Sequence, residues 1–243
     1  MLFRSKFKNS QEYEEKCPDN ISDFIKDQND EISVFLDGSE AISGIILKFL
    51  EKFKERDINV YYIRSDLELL GKAEKLQDKI TSGILQEYTR SGLFNKLVFF
   101  DKIMLEKLLN NVSLIELEDK LSDLISTTCH YVNVYENVKP ILSNSVELSD
   151  ISRLQTYGLG EIGTGNINWF SNLENVEEII YYFAINLDTL KKEKNLLNTI
   201  KAQVKEKQKE NIKVLFNIYE TSYEQNYVYC CAKTKIIQQP NRA

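Results

Sequence analysis

The sequence predicts an α/β fold with two sheet-bearing halves joined by a helical passage, and three observations carry that prediction. Apolar runs rich in β-branched and aromatic residues at 32–36, 58–63 and 97–100 alternate with stretches of helical periodicity, the pattern of parallel strands joined by crossover helices. Residues 103–140 show helical spacing alone. A second set of apolar runs, at 179–185, 212–219 and 227–235, brackets a lysine-rich helical stretch.

The elements follow in chain order. Residues 10–27 are mostly polar, with Asp19 and Asn20 placed after Pro18 to cap a short helix carrying Ile21, Phe24 and Ile25. Ile32-Ser33-Val34-Phe35-Leu36 is compact and apolar, and Asp37-Gly38-Ser39 closes it, so it reads as a buried strand ending in a turn. Ile42, Ile45, Ile46, Phe49, Leu50 and Phe53 then recur on one helical face. The charged stretch Lys54 to Asp57 separates that helix from the strand Ile58 to Ile63. Strand, helix and strand in so few residues imply a parallel pair with a right-handed crossover. Leu76, Ile80, Ile84 and Tyr88 mark the next helix, and Leu97 to Phe100 a third strand, so an α/β sheet is expected over about residues 31–101.

Leu114, Leu117, Leu121, Leu124 and Ile125 form a helical stripe that Tyr131, Val134, Tyr135 and Val138 continue until Pro140 ends it. Ile151, Leu154 and Tyr157 also stand at helical spacing. In the second half the order is a strand, a helix from Leu190 to Lys209, and two strands. The turn Glu220 to Asn226 makes those last two a hairpin, giving a β-α-β-β unit. The expected division is an N-terminal arm or short helix at 1–30, an α/β domain with its connecting helices at 31–140, a second domain at 141–237 and a tail at 238–243.

Composition excludes several classes. With 243 residues, 42% of them hydrophobic and 28% charged, the chain can bury a sizeable core, which excludes disorder and collagen-like repeats. Thirty-seven acidic residues against 31 basic ones give a charge of −6, so no global positive field awaits nucleic acid, and none is expected as a partner. No run of apolar residues is long enough to span a membrane, and the N-terminus lacks the apolar core of a signal peptide. Four sparse cysteines suit a reduced compartment. A cytoplasmic protein is expected, or one assembled inside a cell as part of a viral particle, since abundant Lys, Asn, Ile and Leu fit an AT-rich genome, viral genomes included.

Four constellations bear on chemistry. Gly158-Leu159-Gly160-Glu161-Ile162-Gly163 has the spacing of a dinucleotide fingerprint, but that motif must follow a strand and open a helix. Here helical spacing precedes it and no helical periodicity follows, so a glycine-lined helix end or bent strand is the preferred reading. Asp37-Gly38-Ser39-Glu40, running on to Gly44, occupies a strand-to-helix turn where backbone N–H groups can hold phosphate. No Lys or Arg accompanies them, and Asp37 and Glu40 would repel an anion, so helix capping is preferred. The single His130 beside Cys129 has the look of a packed helix residue, and Cys230-Cys231 on a strand give no zinc spacing. No metal or cofactor is therefore expected. The lysines of the helix from 190 to 209, opposite Leu190, Leu197, Ile200 and Val204, read as a solvated face.

Taken in order, these elements resemble the tubulin/FtsZ family, from partway through its nucleotide domain to the end of its second domain. Tyr181 to Leu190, the lysine-rich helix, Glu210 to Phe216 and Tyr227 to Thr234 are similar to that family's C-terminal succession of strand, "DLTL"-like helix start, "ANIIFG"-like strand and final "VTVIATG"-like strand. Val146-Glu147-Leu148-Ser149-Asp150-Ile151 resembles its "NVDFADV" loop, with Ser145 where Asn is usual. Gly158 to Gly165 resembles "MGLAMMGTG", which accounts for the dinucleotide-like spacing. Arg64 to Lys75 and Leu97 to Leu109 are similar to "RPFxFEGxKR" and "LIVIPNDRLL".

The resemblance implies a truncated, nucleotide-domain-like α/β sheet, a central helical passage and a smaller second domain. It also locates a departure: the family's "GGGTGTG" phosphate loop falls on Asp37, Gly38, Ser39, Glu40 and Gly44, with separated glycines and two acids, and only about thirty residues precede a strand that is normally about the fourth of the nucleotide domain. The expectation is an inactive relative of a GTPase, a non-catalytic structural or assembly protein of a filament or viral particle. The family's loop carboxylates act on nucleotide held by a neighbouring subunit, and Glu147 and Asp150, with Ser145, match that loop. Equally, they read as the capped start of a helix carrying Ile151 and Leu154. Partners implied are further copies of the chain or a tubulin/FtsZ-like protein, on which the acidic loop would act as activator or capping inhibitor.

Overall fold

The computed structural model describes residues 11–12, 31–53, 55–144, 152–208 and 211–239. They fall into two compact units, one made of Met1–Lys102 with Ile237–Ala243 and the other of Ile103–Ile236.

In the first unit, β1 (Glu31–Asp37), β2 (Asp57–Arg64) and β3 (Lys96–Asp101) form the parallel sheet β1-β2-β3. Glu31 pairs with Asp57 and Asn59 with Lys96. Val60, Tyr62, Leu97, Val98 and Phe100 are fully buried, as expected where a parallel sheet is covered on both faces. β1 ends in a 3-10 turn, Ala41–Ile45, that passes into α1 (Ile46–Glu51), so the single helix expected over 42–53 begins as a tighter coil.

The next helix, α2 (Lys72–Arg90), starts at Gly71, whose N–H is accepted by Glu74 Oε2 at 2.7 Å. The residues that mark α2 in the sequence are not its buried ones. Leu76, Ile80 and Tyr88 are 57, 51 and 39% exposed, whereas Asp78, Thr81, Ser82, Leu85, Gln86 and Thr89 face inward. Partners inside the unit satisfy this polar face. Gln86 accepts from the N–H of Gln238 at 2.6 Å and donates to its carbonyl at 3.0 Å, so the C-terminal segment is held against α2 as if by a strand.

The second unit contains α3 (Lys102–Leu108), α4 (Leu117–Asn137), β4 (Leu142–Ser143), β5 (Leu154–Gly160), β6 (Ile167–Trp169), β7 (Glu178–Asn186), α5 (Leu187–Lys192), α6 (Leu196–Lys207), β8 (Lys213–Thr221) and β9 (Tyr227–Thr234). Its strands run β6-β5-β9-β7-β8-β4, with β7 and β8 parallel and the other neighbours antiparallel.

Four expectations are corrected here. β8 and β9 are not a hairpin: β7, buried along almost its whole length, lies between them and takes a ladder on each edge. The segment bearing Leu154 and Tyr157 is a strand, buried at every residue from 154 to 158, so alternation is lost and only the spacing of three remains in the sequence. The helix expected over 190–209 is two helices. Asn186 Oδ1 caps α5 through the N–H of Asp188 at 2.8 Å, and the chain breaks at Glu193 before α6 begins. His130 is exposed, set edge-on to Tyr131 with centroids 5.3 Å apart, rather than packed. The short helix expected within 10–27 lies outside the described residues, apart from Gln11 and Glu12, which are helical.

Leu196, Ile200 and Val204 of α6 pack on Tyr181, Phe183, Phe216 and Cys230 to make one core of this unit. A second layer is built from tyrosines. Tyr131 and Tyr135 of α4 stack near Tyr229 and Tyr219, at 5.5 and 4.6 Å between centroids, and Tyr219 donates to the Tyr135 carbonyl at 2.6 Å. Cys129, Cys230 and Cys231 are buried thiols.

Candidate functional site

Parallel α/β sheets present ligand-binding groups at the carboxyl ends of their strands. In the first unit that edge is formed by Asp37 at the end of β1, by Arg64 at the end of β2 and by Ser65 just beyond it, with the N-terminal half of α2 alongside. Asp37 Oδ1 accepts from the Ser39 N–H at 2.9 Å, from Ser39 Oγ at 2.8 Å and from Ser65 Oγ at 3.1 Å. The Gly38 N–H donates to the Ile63 carbonyl at 2.9 Å, and the Glu40 N–H to the Asp37 carbonyl at 3.4 Å. Ser43 Oγ donates back into the loop, to the carbonyls of Gly38 and Glu40. The predicted capping role of the acids is thus split. Glu40 is the N-cap residue but makes no side-chain cap bond, and Asp37 holds the turn through Ser39.

Beneath this loop lies a buried polar group that no sequence motif announces. Tyr62 Oη donates to Asp78 Oδ1 at 2.7 Å, and Asp78 is 1% exposed. Arg64 Nε stands 3.7 Å from Asp78 Oδ2, with the guanidinium 6.0 Å above the Phe99 ring and 3.3 Å from Ser82 Oγ. Burial pushes the Asp78 carboxyl above its ordinary value, against the lowering effects of the Tyr62 hydrogen bond and Arg64, while Asp37 adds to the rise. Burial, then Asp78, holds the Tyr62 phenol far above its usual range. A Cβ at Gly38 would overlap Tyr62 Oη and Asp78 Oδ1, so the loop passes directly over this pair. Asp78 offered no signal in the sequence, because a lone Asp inside a helical pattern reads as a solvated residue.

Gly44, the last of the predicted phosphate-loop positions, is exposed within the 3-10 turn. Ser145, Glu147 and Asp150 lie outside the described residues. The residues flanking them are anchored. Asn144 Oδ1 accepts from the Phe216 N–H at 2.6 Å and its own N–H donates to the Phe216 carbonyl at 3.2 Å, while Ser152 Oγ donates to Glu177 Oε2 at 3.0 Å. The helical alternative for this stretch is excluded at Leu154, which is in β5.

The glycine segment has a structural role. Gly158 and Gly160 are strand residues, and a Cβ at Gly158 would meet Trp169 at 2.8 Å, so the strand pair β5–β6 closes over the indole. Gly163 and Gly165 have φ of +84° and +67°. Gln203 clamps this loop, accepting from the Gly163 N–H at 2.8 Å and donating to the Glu161 carbonyl at 2.9 Å. No helix follows the glycines, so the dinucleotide motif is absent. Among the described residues no helix is long and apolar enough to cross a membrane, and no three metal-ligating side chains converge.

No protein-family model matches the chain, and no curated protein matches it in sequence. Solved structures do match. A GTPγS-form protofilament of TubZ from Bacillus thuringiensis serovar israelensis superposes with a TM-score of 0.58 at 13% identity, over 92% of this chain and 69% of that one. The helical four-stranded filament of TubZ-Bt gives 0.64 at 12% identity, over 96% and 72%. An empty FtsZ dimer from M. jannaschii gives 0.58 at 10% identity, over 93% and 68%. For a type III plasmid-segregation TubZ the chain spans 64% of the length of that structure. The chain therefore has the tubulin/FtsZ fold, and it spans about two thirds of the length of the structures it matches.

Proposed function

We propose that this chain, folded as tubulin and FtsZ are, is an assembly protein that does not itself bind and hydrolyse GTP. The observation that carries the second half is the state of the loop at Asp37–Gly44. Its N–H groups at Gly38, Ser39 and Glu40 are each donated within the chain, and the acceptor for Ser39 is the Asp37 carboxylate. A phosphate cradle needs such groups pointing outward, with cations nearby. Here Asp37 lies close enough to Asp78 to act on its carboxyl, Glu40 is an exposed acid of the same loop, and Arg64 is placed against Asp78. An incoming phosphate would meet like charge and would have to take donors already in use.

The first half rests on the fold. Several of the matched structures are described as protofilaments or helical filaments, and transfer of that behaviour to this chain is the proposal. Its contact surface in this reading is the acidic loop of Ser145, Glu147 and Asp150, offered to a second copy, in a filament or in a closed particle such as a virion. Charge reversal tests it: Glu147→Lys with Asp150→Lys should abolish pelletable or sedimenting polymer and leave the far-ultraviolet circular dichroism unchanged. Polymer formed equally well by the doubly reversed chain would remove that loop from the contact.

A further inference from the structure

The apolar residues of α2 face outward while its polar residues face the sheet. Leu76 and Ile80 are more than half exposed, Ile84 is half-buried, and Tyr88, set edge-on to Phe94 at 5.8 Å between centroids, is 39% exposed, so successive turns of one helix offer a large apolar side chain to solvent. An exposed apolar stripe of this kind marks a contact surface. Two features of the same face say what covers it.

The first is Gly83. It sits mid-helix, where glycine weakens the helix relative to alanine, yet among the described residues a Cβ there would meet nothing beyond its own helix within 4 Å. A backbone brought close from outside would use the missing side chain. The second is charge. Lys79 and Glu87 are exposed, stand four residues before and four after Gly83, and flank the apolar row on the same side; Glu87 also meets Arg90 of its own helix at 3.5 Å, an exposed pair that a partner's Lys79 can share or replace. In an antiparallel pair of α2 helices whose two-fold axis passes at Gly83, Lys79 lies opposite Glu87 of the partner subunit, and the converse pair is generated by symmetry. The i, i+4 rows of apolar side chains then seat in each other's grooves.

We infer that α2 is a two-fold docking surface for a second copy of this chain, with Gly83 at the crossing point. The contact is isologous and closes at two copies, so it is independent of the assembly through the acidic loop proposed above.

The experiment is sedimentation velocity of the full chain and its variants across a wide concentration range. A contact confined to one helix belongs to the small, weak class of interfaces, so the range extends to about 100 µM. The wild-type chain should show a monomer–dimer equilibrium. Ile80→Glu should leave only monomer, without change in circular dichroism. Lys79→Glu and Glu87→Lys should each weaken the dimer about tenfold, and the two together should restore it. Gly83→Ala separates a local from an intermolecular role, because it should raise the melting temperature of the monomer while weakening the dimer. Gly83→Cys should give a disulfide-linked dimer on mild oxidation.

A wild-type chain that stays monomeric at about 100 µM, or a dimer that survives Ile80→Glu, overturns the proposal. So does a chain that dimerises through α2 only after removal of residues 1–30, which would make that segment the cover. Loss of larger polymer in the Glu147 and Asp150 variants with the dimer intact would bear on the assembly loop alone.

Discussion

Gly38 and Asp78 concentrate the physical content of the first unit's strand ends. Because a Cβ at Gly38 would overlap the Tyr62–Asp78 pair, Gly38→Ala should destabilise the fold by about 1–3 kcal/mol, the usual cost of overpacking, as a lowered urea midpoint with an unchanged slope. Asp78 makes a pH prediction. Its folded-state carboxyl binds a proton more tightly than the unfolded chain does, because burial raises it above 3.8. Its contribution is fully present below that ordinary value and is lost as pH rises through the raised folded value. Asp78→Asn retains an acceptor for Tyr62 and removes the titration, so urea midpoints measured from about pH 4 to about pH 8 should fall less steeply with pH than those of the wild type. Equal slopes would show that Asp78 titrates normally. The sequence made the Asp37 turn legible, since an acid and glycine after an apolar run announce a strand end. It hid Asp78 and Tyr62, which are joined only by the crossover that lays α2 over β2.

At the scale of elements, the strands and helices that one periodicity settles were readable, and those that depend on neighbours were not. The run at 32–36, expected to be a buried strand, became the edge strand β1, which alternates in exposure and leaves Phe35 48% exposed. The runs at 58–63 and 97–100 became β2 and β3 because β-branched and aromatic residues on strands buried on both faces form continuous apolar runs. β5 escaped for the same reason, its buried run being interrupted by Gln155 and two glycines. The hairpin expectation failed because a short turn joins β8 to β9 whether or not a third strand separates them, and only the burial of β7 decides it. α2 shows that the residues which announce a helix need not be those it buries. Gln203 belongs to this scale too, because it ties α6 to the loop after β5. Gln203→Ala would leave the Gly163 N–H and the Glu161 carbonyl without that partner, and should cost about 1–3 kcal/mol in chemical denaturation. Hydrogen exchange should quicken first at Gly163. Unchanged exchange there would mean that the positive-φ glycines hold the loop unaided.

At the scale of the whole molecule, the order of weak motifs along the chain carried more information than any one of them. Each similarity, from Arg64–Lys75 to Tyr227–Thr234, is poor alone, and their succession named the fold that the superposed structures share. What succession could not convey is whether the strand ends keep an anion site, because that depends on where N–H groups and carboxylates point. Assembly without a nucleotide of the chain's own is put to the test by sedimentation velocity over a wide concentration range with and without GTP and magnesium. An oligomer or polymer whose distribution is indifferent to GTP is the expected result. Assembly that appears only when GTP is added would contradict it, and would mean that the donors now turned inward at Gly38 and Ser39 open to receive a phosphate.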